Sequence, residues 1–136
     1  MEDDGSAAFV LAVSGYRNMS DWSLFEASIN EYILKEIGHQ PTKIVSGGAK
    51  GADAFARRFA QIHKIPLVEY KPEWKKYGKA AGPMRNADII GGETTHLIAF
   101  PHPSGRGTQD AIAKAKKRGI PVKVVDLSAT GGAGGR

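Results

Sequence analysis

Short apolar runs alternate with amphipathic stretches along most of the chain. Five runs are continuously apolar or nearly so, which is typical of strands buried on both faces of a sheet. They cover residues 9–13, 43–46, 66–70, 95–100 and 121–125. Between them, apolar side chains recur at helical spacing, as from Trp22 to Ile37. Strands alternating with helices predict a three-layer α/β domain with a mainly parallel, five-stranded sheet.

Helix boundaries are marked by capping residues, glycines and one proline. Ser20 or Asp21 can cap the first helix, and Gly38 can end it. Pro83 favours the first turn of the helix that follows the third strand, and this would place Arg85 in the same turn. The four helices are predicted to cover about 21–37, 52–63, 83–90 and 110–118.

Right-handed crossovers restrict such a chain to doubly wound topologies, and we expect the strand order 3-2-1-4-5. Ligands of these sheets bind beyond the carboxyl ends of the strands, where the winding reverses between strands one and four. The most unusual loops of the sequence follow four of the strands. They are SGYR at 14–17, GGAKGAD at 47–53, KPEWKKYGK at 71–79 and PHPSGRGT at 101–108. We therefore expect one site at this edge.

Composition limits the class of protein. The 136 residues are 41% hydrophobic and 24% charged, as in one soluble globular domain. We expect a flexible lead-in at 1–8, a single domain at 9–126 and a mobile Gly-rich tail at 127–136. No apolar run approaches the roughly 20 residues of a membrane span. The acidic start, MEDDGSAA, is neither a signal nor a transit peptide, so we expect a cytoplasmic protein without membrane contact.

Charge and the absence of cysteine narrow the chemistry. With no cysteine there is no disulfide, thiolate nucleophile or cysteine metal site. The four histidines share no metal-ligand spacing, and we predict neither metal nor cofactor. A net charge of +5 favours anionic partners, from nucleotides to nucleic acid.

The loop 47–53 joins a strand to the start of a helix. Its glycines allow backbone N–H groups to turn toward an anion, and the helix dipole adds a favourable field. It matches neither the P-loop nor the GxGxxG pattern. Asp53 either contacts a ligand or complements the dipole of its helix.

A second loop of this kind precedes the last helix. Gly105 and Gly107 permit positive φ angles and close approach of the backbone to a ligand. Thr108 either caps the helix or holds a phosphate oxygen. Two such loops facing one cleft would form a phosphate site.

Residues 71–86 carry four lysines, two aromatic side chains and one arginine. A cation in the first turn of a helix is unfavourable unless an anion lies nearby, so Arg85 is predicted to face a ligand or to pair with a carboxylate. Trp74 and Tyr77 either stack on a base or cover the sheet edge. The basic positions 114–118 are interpreted as a solvated helix face.

The chain resembles the YspA/cpYpsA-related branch of the SLOG superfamily over about residues 9 to 126. The resemblance lies in the stretches FVLAVSGYRNMSDW, VSGGAKGADAFARRFA, EWKKYGKAAGPMRNADII and LIAFPHPSGRGTQDAIAKAKKRGIPV. It implies a Rossmann-like fold and a nucleotide-derived ligand such as ADP-ribose or an NAD derivative. Relatives include the Lonely Guy phosphoribohydrolases, the DNA-processing protein of natural transformation and antiphage sensor domains, and many members of the branch are found in phage genomes.

The resemblance carries over Gly47, Gly48 and Gly51 of the first glycine loop, the Arg85–Asn86 pair, and Gly105, Gly107 and Thr108 of the second loop. The unusual loops themselves supply the other candidates. The ligand-binding set is Ser14, Gly15, Tyr16, Arg17, Gly47, Gly48, Lys50, Gly51, Asp53, Trp74, Arg85, Asn86, Gly105, Gly107 and Thr108. Within it, the glycine loops, Lys50 and Thr108 would hold phosphates, Arg85 would neutralise their charge, and Ser14, Gly15 and Tyr16 would contact the sugar or base.

One departure from the enzyme pattern favours binding over catalysis. The Lonely Guy enzymes carry a glutamate where this chain has Ala111, and Asp110 is the acid nearby. We therefore expect a sensor, sequestering or accessory protein that forms a homo-oligomer. Two alternatives stay open. One is a phosphoribohydrolase acting on nucleoside monophosphates, with Asp110 and Arg85 as catalytic residues, and the other is a nucleic-acid-binding protein.

Overall fold

A computed structural model describes residues 8–103 and 106–126 of the chain. The strands are β1 (Val10–Gly15), β2 (Lys43–Ser46), β3 (Leu67–Glu69), β4 (His96–Phe100) and β5 (Val122–Val124). The helices are α1 (Trp22–Tyr32), α2 (Ala52–His63), α3 (Trp74–Tyr77), α4 (Ala81–Ile90) and α5 (Gly107–Arg118). A π-helical turn, Ile33–Ile37, extends α1, and a 3₁₀ turn, Gly78–Ala80, joins α3 to α4.

The five strands form one sheet in the order β3-β2-β1-β4-β5, and every neighbouring pair is parallel. β1 lies at the centre, with Leu11 opposite Ile44 of β2 and opposite His96 of β4. The predicted fold class and strand order are confirmed. The winding reverses between β1 and β4, so the carboxyl ends of these two strands begin the site described below.

The core lies on both faces of the sheet because side chains alternate along each strand. On one face, Leu11 and Val13 pack with the aromatic side chains of Phe25 in α1 and Phe59 in α2. On the other face, smaller side chains of the strands pack against α4 and α5. The strands contribute Val10, Ala12, Val45, Leu97 and Ala99 to this cluster, and the helices contribute Ile89, Ile90, Ala111, Ile112 and Ala115. The helices are thereby fixed on the two faces, with α2 and α5 starting at the same edge.

The first helix begins and ends where its caps predict. Asp21 is the N-cap, and its Oδ1 accepts a hydrogen bond from the Leu24 N–H at 3.0 Å. Gly38 has φ of 89° after the π-helical turn, a conformation that favours glycine.

The two helices nearest the carboxyl edge begin earlier than the sequence predicts. α4 starts at Ala81, so Pro83 is in its first turn but Arg85 lies beyond it, and the predicted position of Arg85 is wrong. α5 starts at Gly107 instead of Asp110, with Arg106 as its N-cap residue. Thr108 is therefore a buried residue of the first turn and not the cap.

The basic segment 114–118 is more than a solvated face, which corrects the sequence-based interpretation. Arg118 donates through Nη1 to the carbonyl oxygens of Ile90 and Thr94, and through Nη2 to that of Gly92. It thus satisfies carbonyl groups at the end of α4 that no helical N–H can reach. Lys114 pairs with Asp110 at 2.7 Å.

In the part of the chain that the structure describes, no helix is long and apolar enough to cross a membrane.

Candidate functional site

A cleft of about 810 Å³ opens beyond the carboxyl ends of β1, β2 and β4. Its size is typical of a small-molecule site. Thirteen predicted site residues line it, namely Ser14, Gly15, Tyr16, Arg17, Gly47, Gly48, Asp53, Trp74, Arg85, Asn86, Gly107, Thr108 and Asp110. The structure therefore brings most of the predicted candidates to one surface.

Two predicted residues, Lys50 and Gly51, do not belong to this lining. Gly51 has φ of +68°, and a Cβ there would lie 2.4 Å from the carbonyl oxygen of Tyr16. Its absent side chain lets the β2–α2 loop pack on the β1–α1 loop. Lys50 is exposed beside it. Their assignment to phosphate binding stays a prediction, and Gly105 lies outside the described residues.

The β1–α1 loop forms one wall. A Cβ at Gly15 would lie 2.4 Å from the Cβ of Ala52, so only glycine allows the start of α2 to approach the end of β1 so closely. Tyr16 is held by a hydrogen bond from its N–H to the Phe100 carbonyl oxygen at 3.2 Å. Its ring contacts the ring of His102, with centroids 4.8 Å apart. A tyrosine–histidine pair therefore covers this side of the cleft.

The β2–α2 loop forms the floor. Asp53, in the first turn of α2, is a buried charge beside this loop, with only 6% of its surface exposed. Oδ2 of Asp53 accepts a hydrogen bond from the Ala49 N–H at 3.1 Å. Burial raises the pKa of Asp53 to about 6, although the backbone hydrogen bonds from Ala49 and Gly47 and the charge of Arg85 oppose this rise. A buried carboxylate with a raised pKa, at the floor of a cleft, is a functional candidate.

Arg85 of α4 lies between the two glycine loops. Its Nη1 donates to the Gly47 carbonyl oxygen at 3.2 Å, and its Nε donates to Oδ1 of Asn86 at 3.0 Å. Burial lowers its pKa, the charge of Asp53 raises it, and that of Arg17 lowers it further, yet a guanidinium keeps its charge in proteins. Arg85 hydrogen-bonds to neutral oxygens, so its charge is available to an anion in the cleft.

Asn86 connects α4 to the second loop. Its Nδ2 donates to the Gly107 carbonyl oxygen at 3.1 Å and to Oδ2 of Asp110 at 3.0 Å. Lys114 donates to both oxygens of the same carboxylate, at 2.7 and 2.8 Å. Burial raises the pKa of Asp110, but the hydrogen bonds from Lys114 and Asn86 outweigh burial and hold it below its ordinary value. Asp110 is thus an ionised structural acceptor.

Four polar lining residues were not selected from the sequence, although they lie in or beside the unusual loops. They are Asn18, Lys71, His102 and Arg106. Their loop positions were the available signal, because sequence spacing cannot tell which side chain of a loop turns inward. With Arg17, Lys71, Arg85 and Arg106 against Asp53 and Asp110, cationic side chains outnumber carboxylates in the lining.

Trp74 lies at the mouth of the cleft with 54% of its surface exposed. A Cβ at Gly82 would lie 3.3 Å from the tip of its indole ring, so the ring rests close to the backbone of α4. Tyr77 is 38% exposed and outside the lining, with the Lys76 ammonium 5.0 Å from its ring centre. Of the two aromatic side chains of α3, Trp74 is therefore the one that a base in the cleft would meet.

Among residues 8–103 and 106–126, no three His, Cys, Asp or Glu side chains cluster as a metal site would require.

Comparison with known proteins identifies a family and a phage relative of this chain. The profile of the YspA, cpYpsA-related SLOG family matches residues 9–77. The gene 61 protein of Mycobacterium phage D29 is 33% identical over 84 residues, which is 58% of this chain and 67% of that protein. No solved structure matches significantly. The profile match ends before α4, so the roles of Arg85, Asn86 and the second loop depend on the geometry above.

Proposed function

Because the chain belongs to the YspA, cpYpsA-related SLOG family, we propose that its cleft binds a phosphorylated nucleotide or nucleotide-sugar derivative of the ADP-ribose or NAD type. Family membership indicates a nucleotide-related binding domain, and the class of ligand is our proposal. The protein would act as a sensor, a sequestering protein or an accessory protein, in the host cytoplasm if a phage encodes it.

One observation supports this proposal most strongly. Arg85 and Asn86 are adjacent in sequence, and they contact the carbonyl oxygens of Gly47 and Gly107, respectively. The two glycine loops therefore border the same cleft, within reach of one nucleotide-sized ligand. Neither loop alone would be a specific signal.

The electrostatics of the cleft suit phosphate groups. Gly107 and Thr108 are in the first turn of α5, where N–H groups without helical partners and the helix dipole favour an anion. Arg106 precedes them, and Arg85 and Lys71 line the cleft as well. Together these groups can neutralise more than one phosphate.

The remaining walls suit the sugar and the base. Ser14, Gly15 and Tyr16 border the cleft at the end of β1, and Trp74 offers an exposed aromatic face at its mouth. Stacking of a base on an aromatic side chain is worth about 1–3 kcal/mol.

The carboxylates of the cleft favour binding of the ligand over its hydrolysis. N-glycosidic cleavage uses a carboxylate placed to stabilise a cationic sugar or to activate water. Asp110 donates nothing when ionised, and its oxygens already accept hydrogen bonds from Asn86 and Lys114. We therefore propose that the ligand is released intact.

Nucleic-acid binding is the second candidate, because an aromatic and basic surface adjoins the mouth of the cleft. Trp74 and Tyr77 are both exposed there, among Lys71, Lys75, Lys76 and Lys79. Such a surface could bind single-stranded nucleic acid, with an affinity that falls steeply with salt. Gel-shift titrations at two salt concentrations would test it. Tight, salt-sensitive DNA binding that Arg85→Ala leaves unchanged would favour this candidate over the nucleotide site.

Isothermal titration calorimetry with ADP-ribose, NAD, cyclic ADP-ribose isomers and nucleoside monophosphates tests the main proposal. We expect at least one nucleotide to bind to wild-type protein and to Lys117→Ala, which changes an exposed position away from the cleft. Chromatography of the same mixtures would distinguish intact ligand from released base. No heat with any compound at millimolar concentration would refute the proposal.

A further inference from the structure

The carboxylate of Asp53 lies inside the turn that the first glycine loop makes. It accepts the Ala49 N–H at 3.1 Å, and a backbone hydrogen bond from Gly47 also acts on it. A Cβ added at Gly47 would lie 3.0 Å from Oδ2 of Asp53 and closer still to Nη1 of Arg85. The backbone donors that make a glycine loop attractive to phosphate are thus directed at an internal anion.

The two loops differ in how their acidic residue is compensated. Asp110 in the first turn of α5 forms an ion pair with Lys114 and a hydrogen bond with Asn86. Among the described residues, Asp53 forms no ion pair of this kind. The charge of Arg85 acts on it from a distance, while the guanidinium donates its hydrogen bonds to Asn86 and Gly47. A phosphate placed against Asp53 would therefore meet a like charge that no ion pair neutralises, in a poorly hydrated site. A phosphate at the start of α5 would meet Arg106 and free helical N–H groups.

We propose that Asp53 orients the ligand by accepting a hydrogen bond from a ribose hydroxyl, with the sugar over the Gly47–Gly48 turn and the phosphates at the start of α5. This inference rests on the proposed nucleotide function. It assigns the sugar to the first glycine loop and the phosphates to the second, whereas the sequence predicts phosphate binding for both. It makes Asp53 a specificity-determining residue that favours ligands with a free sugar diol.

Hydrogen-bond energetics give this arrangement its selectivity. A buried carboxylate that binds a hydroxyl discriminates against an analogue that lacks it, because the carboxylate is then left without that partner. The charged groups around Asp53 are Arg85 from α4 and Glu69 from β3, and Glu69 is itself paired with Arg57 of α2 at 2.8 Å. Neither Arg85 nor Glu69 donates a hydrogen bond to Asp53, so the proposed ribose hydroxyl would supply a donor that these side chains do not.

Isotope-edited NMR can measure the pKa of Asp53 with and without ligand. The direction in which this pKa changes shows which group of the ligand lies beside the carboxylate. A hydroxyl that donates to the ionised carboxylate lowers its pKa, whereas a neighbouring phosphate raises it. We expect saturation with ADP to lower the pKa of Asp53 in the wild-type protein. A rise on ADP binding would overturn the proposed orientation. This measurement requires no variant and so does not depend on the folding of one.

Calorimetry adds an independent readout. We expect wild-type protein to bind dideoxy-ADP, which lacks the 2′ and 3′ hydroxyls, at least about tenfold more weakly than ADP. Asp53→Asn should reduce this discrimination while its affinity for inorganic pyrophosphate is retained. Asp88→Asn makes the same chemical change at an exposed position of α4 and should behave as wild type. Equal binding of ADP and dideoxy-ADP by wild type would overturn the inference and leave the nucleotide function standing.

Pyrophosphate distinguishes failure of the inference from failure of the function. If pyrophosphate binds and no nucleotide does, the proposed function fails. The placement of phosphate is then supported if pyrophosphate leaves the pKa of Asp53 unchanged, and it is overturned if the pKa rises. If no probe binds at all, both proposals fail.

Discussion

The side-chain amide of Asn86 donates to Oδ2 of Asp110 at 3.0 Å, across 24 residues of sequence. Its Nδ2 also donates to the Gly107 carbonyl oxygen, while its Oδ1 accepts from Arg85. Asn86 is buried, with 4% of its surface exposed. A buried amide therefore joins the start of α5 to α4, in addition to the apolar contacts between these two helices.

Replacing Asn86 by alanine should weaken both the fold and ligand binding. The change leaves a half-buried carboxylate and a half-buried guanidinium each short of one partner, which typically costs about 1–3 kcal/mol. Urea unfolding measures the loss of stability, and calorimetry with ADP-ribose measures the loss of affinity. Gln109→Ala, at an exposed position in the first turn of α5, is the control. Wild-type affinity in Asn86→Ala would show that the amide does not position the loop.

Replacing Arg85 by alanine should lower nucleotide affinity by about tenfold or more, because a hydrogen bond to a charged group contributes roughly 1.5–3 kcal/mol. Arg85→Lys should recover part of the affinity only. A single ammonium keeps the charge but cannot reproduce the planar fork that contacts Gly47 and Asn86 together. Calorimetry with the same nucleotide measures both variants against Lys117→Ala. Unchanged affinity in Arg85→Ala would remove Arg85 from the site.

Asp110→Asn should bind nucleotide with little loss, because Asp110 contacts Asn86 and Lys114 and is not needed as an acid or base. We also expect wild-type protein to release no free base from AMP, as followed by chromatography. The asparagine variant serves as the control for contaminating activity. Multiple turnover that Asp110→Asn abolishes would make the protein a phosphoribohydrolase.

Asp53→Asn should stabilise the protein at neutral pH. The pKa of Asp53 is raised to about 6 in the folded state, above its value in the unfolded chain, so the folded state binds more protons between those values. Wild-type stability therefore falls as pH rises through this window, by about 3 kcal/mol for a shift of about two units. The variant lacks this titration.

Urea unfolding of both proteins at several pH values tests this prediction. The gain in unfolding free energy of the variant over wild type should be small near pH 4, increase up to about pH 6 and then level off. A difference that does not vary with pH would show that burial does not perturb Asp53. Asp88→Asn, at an exposed position, should show no such trend.

Arg118→Ala should destabilise the fold without changing the chemistry of the cleft. Its guanidinium satisfies three carbonyl oxygens between Ile90 and Thr94, and a typical hydrogen bond contributes about 1 kcal/mol. We expect a loss of about 1–3 kcal/mol in urea unfolding and unchanged nucleotide affinity after correction for the folded fraction. Lys117→Ala, one position earlier and exposed, should have no measurable effect.

The sequence by itself determines the topology of this protein. Apolar runs such as 43–46 and amphipathic stretches such as 52–63 have local periodicities that identify strands and helices. Right-handed crossovers then leave few strand orders, and the predicted one is observed. Parallel strands end at the same edge, so the loops after them meet there whatever their side chains are. For this reason the general position of the site could also be predicted.

Only the tertiary structure decides which groups of those loops act together. Gly51 resembles the other loop glycines in sequence, yet it packs against the backbone of Tyr16 instead of lining the cleft. Arg118 resembles its lysine neighbours, yet it donates hydrogen bonds to carbonyl oxygens of residues 90–94, at and after the end of α4. Hydrogen bonds and burial depend on distances between segments remote in sequence, and no local periodicity encodes them. The raised pKa of Asp53 and the bridge formed by Asn86 arise in the same way, from packing of α2, α4 and α5 around one cleft.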